Sequence, residues 1–243
     1  MWIDGGFDKK HIKCSKFARD EVNRLSLKAQ DVRDASFFAS DDTYITFLNA
    51  RSLRKHHEDI TEDEELMKSK VIGIAETHLN EDEIVNLEGY EGHTVNAGKG
   101  KGVAAFSKII PNKVIKINEK NFSAISLSFE NIRIVFTYIS KGKKSNEIKS
   151  SLISLLQTEI KPTIIIGDMN YHYSKEEHTL KTIFDEMGFC QKVVEATHDE
   201  GNILDHIYVS RPELLSEKDF YLKPLYFSDH DAICLRLKKD VLQ

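Results

Sequence analysis

Hydrophobic positions fall into short runs broken by polar or turn-forming residues, and two periods recur along the chain. Tyr44-Ile45-Thr46-Phe47-Leu48 is aromatic and β-branched and runs straight into Asn49, as a strand does. Val71–Ala75, Val103–Phe106, Val114–Ile117, Phe122–Phe129, Ile132–Tyr138, Thr163–Ile166, Ile207–Val209 and Ala232–Leu237 are further strand-like runs. Glu130-Asn131 sits at a tight hairpin between two of them. Helical spacing appears in three places. Val22, Leu25, Ala29 and Val32 make one face of a helix over Asp20–Ala35. Ile148, Leu152, Leu155 and Leu156 make another over Ser145–Glu159, with Ser145 as N-cap and Lys161-Pro162 as its stop. Glu176–Met187 is a third, closed by Gly188. Thr61 to Glu64 has capping-box spacing and predicts a short helix of its own.

Most strands are joined by short polar connections with few helices between them. That order favours a largely antiparallel sheet system with outer helices over a doubly wound parallel sheet. One domain is expected over residues 42–239, preceded by an extension or linker over 1–41 that carries the first helix.

Bulk composition narrows the class without choosing a function. With 243 residues, 40% hydrophobic and 30% charged, the chain can bury a substantial core. No run of eighteen apolar residues occurs, so no membrane partner is expected, and three scattered cysteines fit reduced thiols in an intracellular setting. The formal net charge of −5 does not mark a nucleic-acid binder, but its distribution permits a basic face. Lys55 to Glu91 holds three Lys/Arg against twelve Asp/Glu; Gly92 to Lys149 holds eleven against three.

Chemistry collects where strands stop. Asn49, Glu76, Asp168 with Asn170, and Asp229 with His230 each follow a buried run. Phosphodiester hydrolysis needs a hard cation on a phosphate or leaving oxygen, which Glu76 and Asn49 suit as oxygen ligands. It needs a group that orients and deprotonates water, which Asp168 with Asn170 could supply. It needs a donor for charge developing on phosphorus, which His230 could supply with Asp205 as its partner. Spacing does not by itself bring these groups together.

The blocks Leu48-Asn49, Ala75-Glu76-Thr77-His78-Leu79, Thr137-Tyr138, Gly167-Asp168-Met169-Asn170, Leu204-Asp205-His206-Ile207-Tyr208 and Phe227-Ser228-Asp229-His230 resemble, in order, those of the endonuclease/exonuclease/phosphatase superfamily. The resemblance implies an α/β (α+β) fold, a two-sheet, mostly antiparallel β-sandwich flanked by helices in four layers. It implies a magnesium-dependent phosphodiesterase, with manganese as a substitute ion, that nicks DNA. Glu76 would hold the metal with Asn49 close by, and Asp229 would be a metal helper. Asp168 would activate water, Asn170 would position Asp168, and His230 with Asp205 would bind the phosphate oxygen. Tyr138 matches a phosphate-touching tyrosine. Whether Asp168 or His230 is the base stays open.

Leu48-Asn49-Ala50-Arg51-Ser52-Leu53 and Gly167-Asp168-Met169-Asn170-Tyr171-His172 are most similar to mobile-element endonucleases, of non-long-terminal-repeat retrotransposons or of Helentron helicases. That likeness implies a larger helicase or replication polyprotein and a nuclear setting. Arg51 replaces the Asp that apurinic-type members place near the metal, which puts a second metal in doubt; it either contacts a phosphate or points to solvent. Lys141 and Lys143, after Tyr138, are candidate backbone contacts, and Thr197-His198 resembles a loop that retroelement members place beside the substrate strand, with Thr197 the candidate contact. Gly98-Lys99-Gly100-Lys101-Gly102 lacks the order of a phosphate-binding loop and predicts a hairpin turn. Tyr171 and Tyr173 either stack on a base or pack under the site. Two other functions compete: a phosphatase of phosphoinositides or small phosphoesters, and a decayed domain that binds DNA without cutting it.

Overall fold

Alternation with period two fixes which side chains of each strand share a face, and here both faces of most strands are apolar. In the computed structural model, which describes residues 37, 43–141, 145–158, 160–173, 179–238 and 241–242, the elements follow a simple order. They are β1 (Thr43–Asn49), α1 (Leu53–Thr61), α2 (Glu64–Lys68), β2 (Val71–Ala75), β3 (Glu91–Val95), β4 (Val103–Ser107), β5 (Lys113–Glu119), β6 (Phe122–Ser128) and β7 (Arg133–Ile139). Then come α3 (Ser145–Leu156), β8 (Thr163–Asp168), α4 (Thr179–Glu186), β9 (Cys190–Gln191), β10 (Asp205–Val209), β11 (Leu215–Lys223) and β12 (Ala232–Leu237). The helix expected over Asp20–Ala35 lies outside the described residues.

Two six-stranded sheets result, ordered β11-β12-β1-β2-β4-β3 and β5-β6-β7-β8-β10-β9. Each is antiparallel except for one central parallel pair, β1 with β2 and β7 with β8. Three apolar clusters mark three interfaces between four layers. Ile45, Phe47, Ile134, Phe136, Ile166 and Ile207 belong to the cluster between the sheets, where Phe47 and Phe136 stack with centroids 6.3 Å apart. Leu48, Ile72, Ile74 and Phe106 pack on Leu53 and Ile60 of α1 and Leu66 of α2. Val135, Ile165 and Tyr208 pack on Leu152 of α3 and on Ile183 and Phe184 of α4.

Two glycines set how closely these layers approach. A Cβ on Gly73 would stand 2.0 Å from the Phe136 ring across the sandwich. One on Gly167 would stand 2.1 Å from the Thr137 carbonyl oxygen, within the parallel β7–β8 pair.

Several local expectations change. Asp63, not Thr61, caps the short helix: its Oδ1 accepts from the N–H groups of Glu65 and Leu66, both at 3.1 Å. Thr61 instead ends α1, a helix the apolar spacing did not announce, and its Oγ1 donates to the Glu58 carbonyl. The third helix is described over Thr179–Glu186, and its expected start at Glu176 lies outside the described residues. The hydrophobic pattern does not announce β3, β9 or β11.

Candidate active site

Strand parity brings the site together. Asn49 continues the inward series Ile45, Phe47; Tyr138 continues Ile134, Phe136; Asp168 continues Ile164, Ile166; and Asp205 precedes Ile207, Val209. Because β8 and β10 are antiparallel, Asp168 and Asp205 stand directly opposite each other, and Tyr138 is registered with Asp168 across the parallel pair. The polar groups therefore lie at one end of the inter-sheet core, where the apolar side chains stop. Asn49, Asp168 and Asp205 are fully or almost fully buried, and His230 nearly so.

Hydrogen bonds fix Asp168 from three sides. Its Oδ2 accepts from Asn49 Nδ2 at 2.9 Å and from Asn170 Nδ2 at 3.4 Å, and its Oδ1 from the Asn170 N–H at 2.8 Å. Asn170 Nδ2 also donates to the Ile139 carbonyl, tying the β8 end to the β7 end. Burial and the neighbouring Asp205 charge push the Asp168 carboxyl up to about 7, against the lowering effects of His230 and the Asn170 and Asn49 donors.

His230 and Asp205 form the second unit. His230 Nδ1–H donates to Asp205 Oδ2 at 2.7 Å, while Asp205 Oδ1 is buried with no hydrogen-bond partner among the described residues. Burial alone would lower the imidazole, but the charge and hydrogen bond of Asp205, with Asp168 and Asp229, outweigh it and raise His230 to about 9. An imidazolium with Nδ1 committed to a carboxylate keeps Nε2–H as a donor.

Glu76 and Tyr138 form the third. Glu76 follows β2 at a left-handed φ of 50°, and its Oε1 accepts from the Tyr138 hydroxyl at 3.3 Å. That hydroxyl also reaches the Gly100 carbonyl at 3.1 Å, so the glycine-rich segment borders the site as a turn. The turn braces the Glu76 loop as well: the His78 N–H donates to Lys101 O and the Gly98 N–H to Leu79 O. Gly102, at φ 94°, is pressed against Thr77, where a Cβ would stand 2.4 Å from Oγ1. Arg51, Ser52, Glu76, His78 and Asn170 are the described non-glycine residues with positive φ, and all border these strand ends. Such backbone costs about 1–3 kcal/mol per residue and persists where the surroundings over-determine it.

The other expected residues are placed as follows. Arg51 is half-exposed, with Nη1 2.9 Å from Asp229 Oδ2. Thr197 is fully buried; its Oγ1 accepts from the N–H groups of Leu204 and Asp205, so it holds the start of β10. Lys141 is exposed, and Lys143 lies outside the described residues. Tyr173 packs edge-on against His206 with centroids 5.6 Å apart. Two further residues join the site. Ser228 Oγ donates to the Asn49 carbonyl at 2.7 Å and accepts from the His230 N–H, joining β1 to the His230 loop. His198 meets His230 edge-on at 4.8 Å, with Nε2 3.6 Å from Asp229.

The oxygen donors suit a hard divalent cation at Glu76. Its carboxylate is partly open, with the Tyr138 hydroxyl at 3.3 Å, His78 Nε2 at 3.6 Å and the Asn49 amide at the neighbouring strand end. Asp168, Asp205 and His230 also bring ligand-type atoms within 4.8 Å of one another, but are already engaged in the hydrogen bonds above.

Among known proteins, residues 48–230 match the model of the Endonuclease/Exonuclease/phosphatase family. No curated protein matches the sequence. An AP endonuclease from Archaeoglobus fulgidus is similar in fold, with a TM-score of 0.64 and 19% identity, covering 81% of this chain and 99% of that one. So is the 3′ phosphatase NExo from Neisseria, solved with product DNA hairpin, at a TM-score of 0.65 and 15% identity with the same coverage.

Proposed function

The chain belongs to the endonuclease/exonuclease/phosphatase family, whose members are hydrolases of phosphodiester or phosphoester bonds, and on that premise we propose that it is a divalent-metal-dependent endonuclease that nicks DNA. The observation that carries the proposal is the opposition of Asp168 and Asp205 with His230 locked at 2.7 Å on Asp205, beside a Glu76–Tyr138 pair.

A magnesium ion, held by Glu76 with Asn49 adjacent, would polarise a phosphate oxygen and offset charge on the leaving oxygen. The chain's own groups do the rest. Asp168, pinned by Asn49 and Asn170, takes a proton from the attacking water once it is ionised. His230, held as a cation by Asp205, donates from Nε2 to the phosphoryl oxygen. Tyr138 places its hydroxyl between Glu76 and the Gly100 turn, within reach of the same phosphate.

DNA as substrate is supported by the basic stretch after Gly92 and by the mobile-element likeness of residues 48–53 and 167–172. We extend the reading to a mobile-element endonuclease joined through residues 1–41 to a helicase or replication protein, acting in the nucleus. A single-ended phosphomonoester substrate is the competing possibility that the family offers.

Purified protein should convert supercoiled plasmid to open circles with magnesium and not with chelator. His230→Ala should lower the rate by about 10²–10⁴-fold, the range for loss of a general acid or oxyanion donor. Glu76→Ala should recover activity as magnesium is raised. Plasmid left supercoiled by folded wild-type protein, with phosphate released from a 3′-phosphate end, would replace the endonuclease by a phosphatase.

A further inference from the structure

Three loops of the site meet at Asp229. Arg51 Nη1, from the end of β1, donates to its Oδ2 at 2.9 Å, and His198 Nε2 stands 3.6 Å from the same oxygen. His198, Asp229 and His230 together bring ligand-type atoms within 4.8 Å, a composition that would suit a second metal ion.

The hydrogen bonds point to a different occupant. The Glu200 backbone N–H donates to His198 Nδ1 at 3.1 Å, so the neutral imidazole carries its proton on Nε2, the atom turned to Asp229. A metal on Nε2 would cost a shift of tautomer and the Nδ1 bond, a cost that a free Asp229 carboxylate offsets and one already paired with a cation does not. His230 has its Nδ1 committed to Asp205, and the Asp229 carboxylate already holds a full cation in Arg51.

The backbone that delivers Arg51 is also unusual. Arg51 sits at a left-handed φ of 51°, fixed by its N–H donating to Asn49 Oδ1 at 3.0 Å. An ion pair whose partners are 55% and 32% exposed contributes little to stability, so a structural staple does not explain the strained placement. Among the described residues only Nη1 of the guanidinium is engaged, which leaves donors of its planar fork open beside the site.

We propose that Arg51 is the resident cation of this corner: it occupies Asp229 in place of a second metal ion and confines metal binding to Glu76. In the nuclease proposed above, which supplies the substrate but not the geometry, its open donors face a DNA backbone phosphate beside the scissile one. Asp229 is then a positioning residue that holds Arg51, and not a metal ligand.

Manganese titration of the full chain, followed by loss of the free-ion paramagnetic resonance signal, tests this without turnover. Wild type takes up one ion per chain, and Glu76→Gln loses it. Arg51→Ala takes up two, and the second is lost again in Arg51→Ala with Asp229→Asn. Arg51→Lys, which keeps the charge, stays at one. Two ions in wild type, or only one in Arg51→Ala, overturns the inference. A wild type that binds no manganese counts against the metal-dependent reading alone. The Arg51→Ala variant then still decides, an Asp229-dependent ion supporting the role of Arg51 and none overturning it.

Discussion

Asp168 and His230 are charged neighbours on either side of Asp205, and their pH behaviour is the sharpest handle at the residue scale. Asp168 must be ionised to accept a proton, and it is held up to about 7 by burial and by Asp205. His230 must be protonated to donate, and after burial has lowered it, Asp205 and the other carboxylates raise it to about 9. The rate should therefore rise through the first value and fall through the second, a bell whose two limbs belong to Asp168 and His230 jointly. Replacing Asp205 by Asn removes the repulsion on Asp168 and the partner of His230, so both limbs should move to lower pH. A pH–rate profile in which either limb stays in place would detach that group from Asp205. How much of this was legible follows from what carries it. The identities at 49, 76, 168, 170 and 230 are visible because polar side chains interrupt buried runs, Asp205 follows as the partner for His230, and Tyr138 is visible only through the family resemblance. Strand parity also shows which of them face inward. Ser228 and His198 act through a hydroxyl between two backbones and a ring edge against a ring, contacts made across 179 and 32 positions of sequence that no spacing encodes.

At the scale of elements, the interior strands were evident because both faces are apolar, and the missed ones are edges or helices with thin apolar faces. β3 and β9 lie at sheet edges and β11 at the opposite edge, where one row of side chains can be polar without penalty. α1 buries only Leu53, His56 and Ile60, too few for a recognisable stripe. The parallel pairing of β7 with β8 was equally hidden, although it sets the spacing on which Asp168 and Tyr138 depend. Gly167 is its structural requirement: the Cβ of an alanine would meet the Thr137 carbonyl oxygen at 2.1 Å, and backbone cannot move aside as a flexible side chain can. Gly167→Ala should destabilise by about 2–4 kcal/mol, in the upper range of overpacking, and reduce nicking by displacing Asp168. Gly201→Ala is the control, since nothing lies within 4 Å of its Cβ and only its φ of +77° is unfavourable, which costs about 1–2 kcal/mol. A Gly167→Ala shift in denaturation midpoint no larger than that of Gly201→Ala would overturn the packing argument, since Gly167 has no positive φ.

For the whole molecule the question is how much chain the fold needs. The family match starts at residue 48, contacts divide the chain between Ser40 and Asp41, and the first strand, Thr43–Asn49, lies inside its sheet between β12 and β2. An interior strand cannot be shortened without exposing two ladders, whereas residues before it can be removed if the core is complete without them. Among the described residues the three apolar clusters run from Ile45 to Leu242, and Phe37, the one described residue before β1, is buried as well. A chain of residues 41–243 is therefore expected to unfold in one cooperative transition within a few degrees of the full chain. It should also nick plasmid within about twofold of the full rate, because every group proposed to act on phosphate lies after residue 48. Starting instead at residue 48 removes most of β1 and should abolish cooperative unfolding. Should the 41–243 chain unfold early or lose activity, residues 1–40 would have to be counted as part of the catalytic fold and not as a linker to a neighbouring domain.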